Sequence, residues 1–230
     1  MMASPVAQTT DPAPVETEAK LHASRRVFAA LADAPEVAGW RVAERRDTSL
    51  RDTYWDTPDG RLARAGSTLR VRQNGPDPRG ELTLKGPVPR EAGSGAPGAW
   101  SRTELSVAVP AGSGPSEWAA IPAARPVLDA LRRLGTSGGL RPDVVLLNPR
   151  RDLLLRRGDD GEDEVVLSLD EVALEGAPYR RRYVEAELKK GQAQALQALV
   201  ETLVGRFGLR PSRRAKVQAA REWLARQPAA

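Results

Sequence analysis

The chain of 230 residues contains no cysteine and a single histidine, His22. The first absence excludes disulfides, thiolate metal sites and cysteine nucleophiles. The second excludes a multi-histidine zinc centre within one chain. Aromatic residues are only 4% of the total, and no run of Lys and Arg is interleaved with them, so the stacking surface used for single-stranded nucleic acid is missing. No apolar run approaches the roughly 20 residues needed to span a bilayer. The opening MMASPVAQTTDPAP lacks the basic and apolar segments of a secretory signal. A cytoplasmic protein with no membrane and no nucleic-acid partner is the resulting expectation.

What the sequence does have is charge of both signs. Charged residues make up 28% against 40% hydrophobic, which leaves enough apolar surface for one core. A net charge of +5 and a pI near 9.9 favour an anionic partner. The bases are spread through the chain beside acids, which suits a compact phosphate ligand better than a long nucleic-acid backbone. Without thiolates or a histidine cluster, any metal must be held by carboxylate oxygens, as Mg²⁺, Mn²⁺ or Ca²⁺ are.

Local patterns divide the chain. Residues 1–14 are rich in Ala, Pro and Thr and read as a disordered tail. Strands are expected at 15–22, 41–55, 67–74, 80–86, 99–109, 142–156, 164–173 and 179–189. Ser24 is a plausible cap for a helix carrying Val27, Phe28 and Leu31, and further helices are expected at 125–134, at 192–207 and from Ser212 towards Trp223. Asp56-Thr57-Pro58-Asp59-Gly60 and Gly158-Asp159-Asp160-Gly161 read as turns. The acidic run 159–164 lacks the ligand spacing of an EF-hand and reads as a solvated turn. The Gly/Pro-rich stretch 86–98 is expected to be a mobile loop.

Side chains two apart share a strand face. One face then collects Glu16, Glu18 and Lys20; Arg70 and Arg72; Lys85; Arg102 and Glu104; Asp170; and Glu185, Glu187 and Lys189. The other face collects Leu69, Val71, Leu82, Leu84, Leu105, Val107, Leu167, Leu169, Val184 and Leu188. A single charged face is ordinary in an antiparallel sheet. A series that repeats Arg-x-Arg and Glu-x-Glu points to closure, because a sheet of eight strands tends to curl and closing it turns the charged face into a lumen. Confined bases call for an anion and confined carboxylates for a cation, and a metal-phosphate complex satisfies both.

At this point the motifs resemble the CYTH superfamily, the triphosphate tunnel metalloenzymes. Glu16-Thr17-Glu18-Ala19-Lys20 is similar to the opening E-x-E-x-K. Tyr54-Trp55-Asp56-Thr57 followed by Leu69-Arg70-Val71-Arg72 resembles a second stretch. Leu82-Thr83-Leu84-Lys85, Arg102-Thr103-Glu104, Leu169-Asp170-Glu171-Val172, Glu185-Ala186-Glu187-Leu188-Lys189 and Ser212-Arg213-Arg214-Ala215-Lys216 follow in the family's order. The resemblance covers about residues 15–220 and implies an α+β fold, an eight-stranded antiparallel closed β-barrel with helices packed outside. It places one such domain at 15–226, with a short tail at 227–230. One departure is Asn148-Pro149-Arg150-Arg151, where Arg150 is favoured as the inward base and Arg151 is the alternative.

The resemblance also implies a divalent-metal-dependent hydrolase that cleaves the terminal phosphoanhydride of inorganic triphosphate or a small organic triphosphate, with Mg²⁺ or Mn²⁺ as cofactor. Lys20, Arg70, Arg72, Lys85, Arg102, Arg150, Lys189 and Lys216 are the expected phosphate ligands, although Glu104 competes for Arg102. Glu16, Glu18, Glu104, Asp170, Glu185 and Glu187 are the expected metal ligands, with Glu16, Glu18 and Lys20 at the catalytic centre. His22 is expected at the rim and Asp56 in its turn. An adenylyl cyclase or thiamine triphosphatase is the alternative enzyme, and a non-catalytic polyphosphate-binding module the alternative of another class.

Overall fold

Alternation of large aliphatic with charged residues builds long strands wherever the sequence shows it. The structure, a computed structural model, describes residues 15–87, 99–136, 139–158 and 161–228, with the side chains of 15–17 and 99–101 left aside. The expected tail at 1–14, residues 88–98 of the expected loop, and Asp159 and Asp160 of the expected turn lie outside the described residues. The strands are β1 (Val15–His22), β2 (Glu36–Val37), β3 (Trp40–Asp56), β4 (Thr68–Asn74), β5 (Arg79–Lys85), β6 (Ala99–Pro110), β7 (Arg141–Arg157), β8 (Asp163–Leu174), β9 (Arg180–Lys190) and β10 (Arg210–Pro211). The helices are α1 (Arg25–Asp33), α2 (Arg61–Arg64), α3 (Pro115–Ala119), α4 (Arg125–Arg133), α5 (Ala193–Gly205) and α6 (Lys216–Leu224).

The strands form one antiparallel sheet in the order β10-β1-β6-β5-β4-β3-β7-β8-β9, with β2 against β3. Strand β1 makes further pairs with β9, from Glu18 opposite Glu187 to His22 opposite Tyr183. The expected eight-stranded closed barrel is therefore corrected to a ten-stranded antiparallel sheet in a mixed α/β fold. The count failed because β2 and β10 have two residues each, too few to carry a periodic signal. Closure was an inference from alternation, which assigns residues to faces but does not determine which strand edges meet. The last helix also starts later than expected, at Lys216. The chain before it is held extended, with the Ser212 amide donating to the Lys20 carbonyl at 2.8 Å.

The apolar face is covered by helices. Leu21, Leu153, Leu167, Leu169 and Val184 pack with Leu31 of α1 and with Leu196, Leu199, Val200 and Leu203 of α5. Ser24 caps α1 by accepting the Val27 amide at 3.3 Å, as its sequence position indicated. Leu69, Val71, Leu82 and Leu84 pack with Trp118 of α3 and with Val127 and Leu131 of α4. A third cluster joins Tyr54, Leu146, Val172, Tyr179 and Tyr183 to Val217 and Ala220 of α6. Leu167 is fully buried and Leu224 is 40% exposed. Leu167→Ala should cost roughly 2–5 kcal/mol in urea unfolding and Leu224→Ala under about 0.5 kcal/mol; equal losses would contradict this core.

Candidate active site

On the other face, the strand registers set charges side by side. Asp52 lies opposite Arg72, and Tyr54 opposite Arg70. Arg72 lies opposite Glu81 and Thr68 opposite Lys85, while Lys85 lies opposite Glu104. From the far side, Glu18 lies opposite Glu187 and Lys20 opposite Glu185, and Arg150 opposite Asp170. These groups surround a cavity of about 260 Å³ lined by eight bases and five acids.

All eight expected phosphate-binding bases reach this cavity, and so do Glu18, Glu104, Glu185 and Glu187. Glu16 lies on β1, opposite Arg102, but its side chain is outside those described. Asp170 does not line the wall. It is fully buried behind it and accepts bonds from Asn148 (2.6 Å), Arg150 (2.7 and 2.9 Å) and Lys216 (2.6 Å). With both oxygens engaged, Asp170 positions two bases. Arg150 is the inward arginine, while Arg151 turns outward to Asp47 at 2.7 Å. Pro149 and Asn148 stand outside the β7–β8 ladder, whose pairs pass from Leu147–Ala173 to Arg150–Asp170; a residue without an amide proton fits there.

The electrostatics are those of charges buried in compensating sets. Burial alone would push the Asp52 carboxyl up, but Arg72 and Arg70 outweigh it and hold the group well below the usual carboxylate range. Arg72 donates two bonds of 2.7 Å to Asp52, a bidentate fork that aims its planar head. Asp170 follows the same logic, with burial opposed by Lys216 and Arg150. Lys216 bridges Asp170 and Glu185, at 2.6 and 2.7 Å, and burial fails to prevent those acids from raising its pKa. Lys20 goes the other way: burial lowers it to about 8 despite Glu185 and Glu18. Lys85 pairs with Glu104 at 2.6 Å, which leaves Arg102 to approach Glu18 at 3.6 Å. Lys189, at the exposed end of β9, hydrogen-bonds Glu187.

Two features of the cavity are unusual for a folded interior. Among the described residues, the buried Nε atoms of Arg70 and Arg102 have no hydrogen-bond partner, and unsatisfied buried donors are rare without a reason. Glu18 and Glu187 face each other directly across β1 and β9, an arrangement of like charges that is unfavourable on its own. Among the described residues, no three Asp, Glu or His side chains are gathered closely enough to hold a metal. The donors present are nevertheless of the right kind, since carboxylate oxygens suit a hard divalent cation.

Sequence reasoning missed Asp52, Asn148, Tyr54, Glu81 and Ser168. Glu81 shares parity with Lys85, and that signal was available. Asp52 and Tyr54 alternate with outward residues in the long β3, but β3 had not been assigned a face. Asn148 acts through Asp170, and nothing local indicates that. His22 is half-buried against Tyr183, with ring centroids 4.8 Å apart, and is not in the cavity wall. Asp56 holds its turn as expected, accepting the amides of Thr57, Leu62 and Ala63 at 2.8–3.0 Å.

The depressed Asp52 carboxyl predicts a pH signature. Its stabilising contribution is complete above the ordinary carboxylate range near about pH 4 and is lost as pH falls towards the lower folded value. Asp52→Asn should cost roughly 3–5 kcal/mol at pH 7, measured by urea unfolding, and distinctly less at pH 3. An equal cost at both would contradict the ion-pair assignment.

The sequence matches the CYTH domain family over residues 15–216. No curated protein sequence gives a significant match. Among solved structures, the candidate adenylyl cyclase HpAC1 from Hippeastrum, described as having a dominant triphosphatase activity, is 20% identical. It aligns with a TM-score of 0.64 over 90% of this chain and 96% of its own. A candidate adenylate cyclase from Bacillus halodurans is 19% identical, with a TM-score of 0.56 over 89% of this chain and 96% of that one. The PH1819 protein of Pyrococcus horikoshii is also 19% identical, with a TM-score of 0.54 over 90% and 99%. At these identities the structures share the fold, and the family match covers most of the chain: this protein belongs to the CYTH domain family.

Proposed function

We propose that the protein is a divalent-metal-dependent triphosphatase acting on a small triphosphate compound. The observation that carries this reading is the convergence of eight bases with carboxylates on one cavity, two of the bases having unsatisfied buried donors. Bases alone would suit any anion. Carboxylates beside them weaken plain anion binding and make sense where a cation accompanies the anion. The triphosphatase activity named for the Hippeastrum protein is a precedent on the same fold.

In this reading Arg70, Arg72, Arg102 and Arg150 present planar donors to phosphate oxygens, and Lys20, Lys85, Lys189 and Lys216 supply point charges. Asp52 and Asp170 hold Arg72, Arg150 and Lys216 in place, so little reorganisation is needed when substrate arrives. Glu18 and Glu187, with Glu104, Glu185 and by sequence Glu16, would hold Mg²⁺ or Mn²⁺. The chemistry such an ion supplies when bound is neutralisation of phosphate charge and activation of water. Water adds to the terminal phosphorus as the bridging P–O bond breaks, giving orthophosphate, a diphosphate and a proton. Lys20, buried beside Glu18 and Glu185, is placed to orient the attacking water or steady the leaving oxygen. The other contributions are positioning and charge stabilisation.

No helix among the described residues is long and apolar enough to cross a membrane. Purified protein with Mg²⁺ or Mn²⁺ should release orthophosphate from inorganic triphosphate, and EDTA should abolish the release. Glu18→Gln should reduce turnover to background with an unchanged melting temperature. Triphosphate bound tightly but never cleaved would favour the binding-module reading, and full activity in Glu18→Gln would remove that residue from the centre.

A further inference from the structure

His22, the one histidine of the chain, lies outside the wall of the charged cavity. It nevertheless shares a strand face with Lys20, two residues back along β1. The registers give it two direct neighbours on that face, Arg210 of β10 and Tyr183 of β9. Directly opposed residues of antiparallel strands stand roughly 5 Å apart at Cα. Arg181 follows on the same face, two residues before Tyr183, with its guanidinium 5.4 Å from the centre of the Tyr179 ring. One end of this face thus carries an imidazole beside two arginines.

No acid answers these bases. Among the described residues, the Arg210 side chain makes no hydrogen bond or ion pair, and Arg181 donates only to the Arg180 carbonyl, at 3.1 Å. The carboxylates around them are engaged elsewhere. Asp170, opposite Tyr183, is held by Arg150 and Lys216, and those two bases also hold Glu185. Glu171 pairs with Arg182, and Glu222 of α6 pairs with Arg214. Lys216 stands 6.0 Å from the centre of the Tyr183 ring. Burial, followed by the charges of Arg210, Arg181 and Lys20, holds the His22 imidazole below its ordinary range. Every charge that acts on this histidine is therefore positive. Both arginines are exposed and the imidazole is half-buried, so an ion can reach the group from solvent.

We propose that Arg210, Arg181 and His22 form a second anion site, which takes a compact oxyanion of the orthophosphate class. Two guanidiniums offer planar donor pairs to tetrahedral oxygens, and the protonated imidazole adds a third charged donor. Tyr179 and Tyr183 are almost wholly buried, so neither ring is open for a base to stack on, and the anion alone is recognised. Anion and imidazolium stabilise each other, so binding raises the His22 pKa and weakens as pH rises through it. The site does not depend on triphosphate hydrolysis, although orthophosphate is an ion that such hydrolysis releases.

Proton NMR of the full chain tests this directly, because the C–H signals of a single imidazole need no assignment. Sulfate and inorganic phosphate should each shift the His22 signals saturably. Sulfate keeps its charge across the range of about pH 5–8 in which histidine titrates. It should raise the His22 pKa by about one, as an opposite charge nearby does. Arg210→Gln should weaken sulfate binding at least about tenfold, the scale of one charged hydrogen bond. Arg181→Gln serves as the second variant should the first fold poorly. Arg70→Gln, which alters the charged cavity and leaves Asp52 paired with Arg72, should respond as the wild type does. No response in the wild type, or one that survives both Arg210→Gln and Arg181→Gln, overturns the proposal. A response lost in folded Arg70→Gln places the ion in the charged cavity and overturns it as well.

Discussion

Charge cannot be taken out of water singly without a large cost, and the inner face of this sheet is organised around that constraint. Asp52 and Asp170 are almost wholly buried, and each is surrounded by bases: Arg70 and Arg72 in one case, Arg150 and Lys216 in the other. These two clusters are scaffolds for cations. They satisfy enough of each base to keep it charged and aimed, while the cavity retains an excess of bases over acids. The hydrophobic face can be read as a normal core, but the charged face holds together only as a set.

The two faces are coupled through single strands. Leu69 and Val71 anchor β4 under α3 and α4, which turns Arg70 and Arg72 into the cavity. Leu167 and Leu169 fix β8 beneath α1 and α5, which turns Asp170 inwards. Helix α6 connects the layers most directly, with Val217 and Ala220 in the third apolar cluster and Lys216 in the cavity wall. Core packing thus sets the placement of the charges, so a cavity-creating substitution under β4 or β8 is expected to disturb the site as well as stability.

Much of this was legible in the sequence, because strand parity is local and the long strands are strongly periodic. Lys20, Arg70, Arg72, Lys85 and Glu187 appear in the cavity on that reasoning alone. Arg150 lines the cavity, while Arg151 pairs with Asp47. The failures are of a different kind. The eight-stranded closed barrel did not hold, since two-residue strands such as β2 and β10 leave no pattern and edge pairing is a long-range property. Asp170 has the right parity, but Asn148, Arg150 and Lys216 come from 46 residues away or less and absorb its oxygens. Parity tells which way a side chain points, and only packing tells what it meets there.

The central claim is that bases and carboxylates of this one cavity hold a triphosphate together with divalent metal. A crystal structure of the protein with triphosphate and Mn²⁺ tests it most directly. The account predicts an anomalous manganese peak between Glu18 and Glu187, with phosphate oxygens within hydrogen-bonding distance of Arg70 and Arg102. Triphosphate bound elsewhere on the surface, or manganese absent from the Glu18–Glu187 pair, would contradict it.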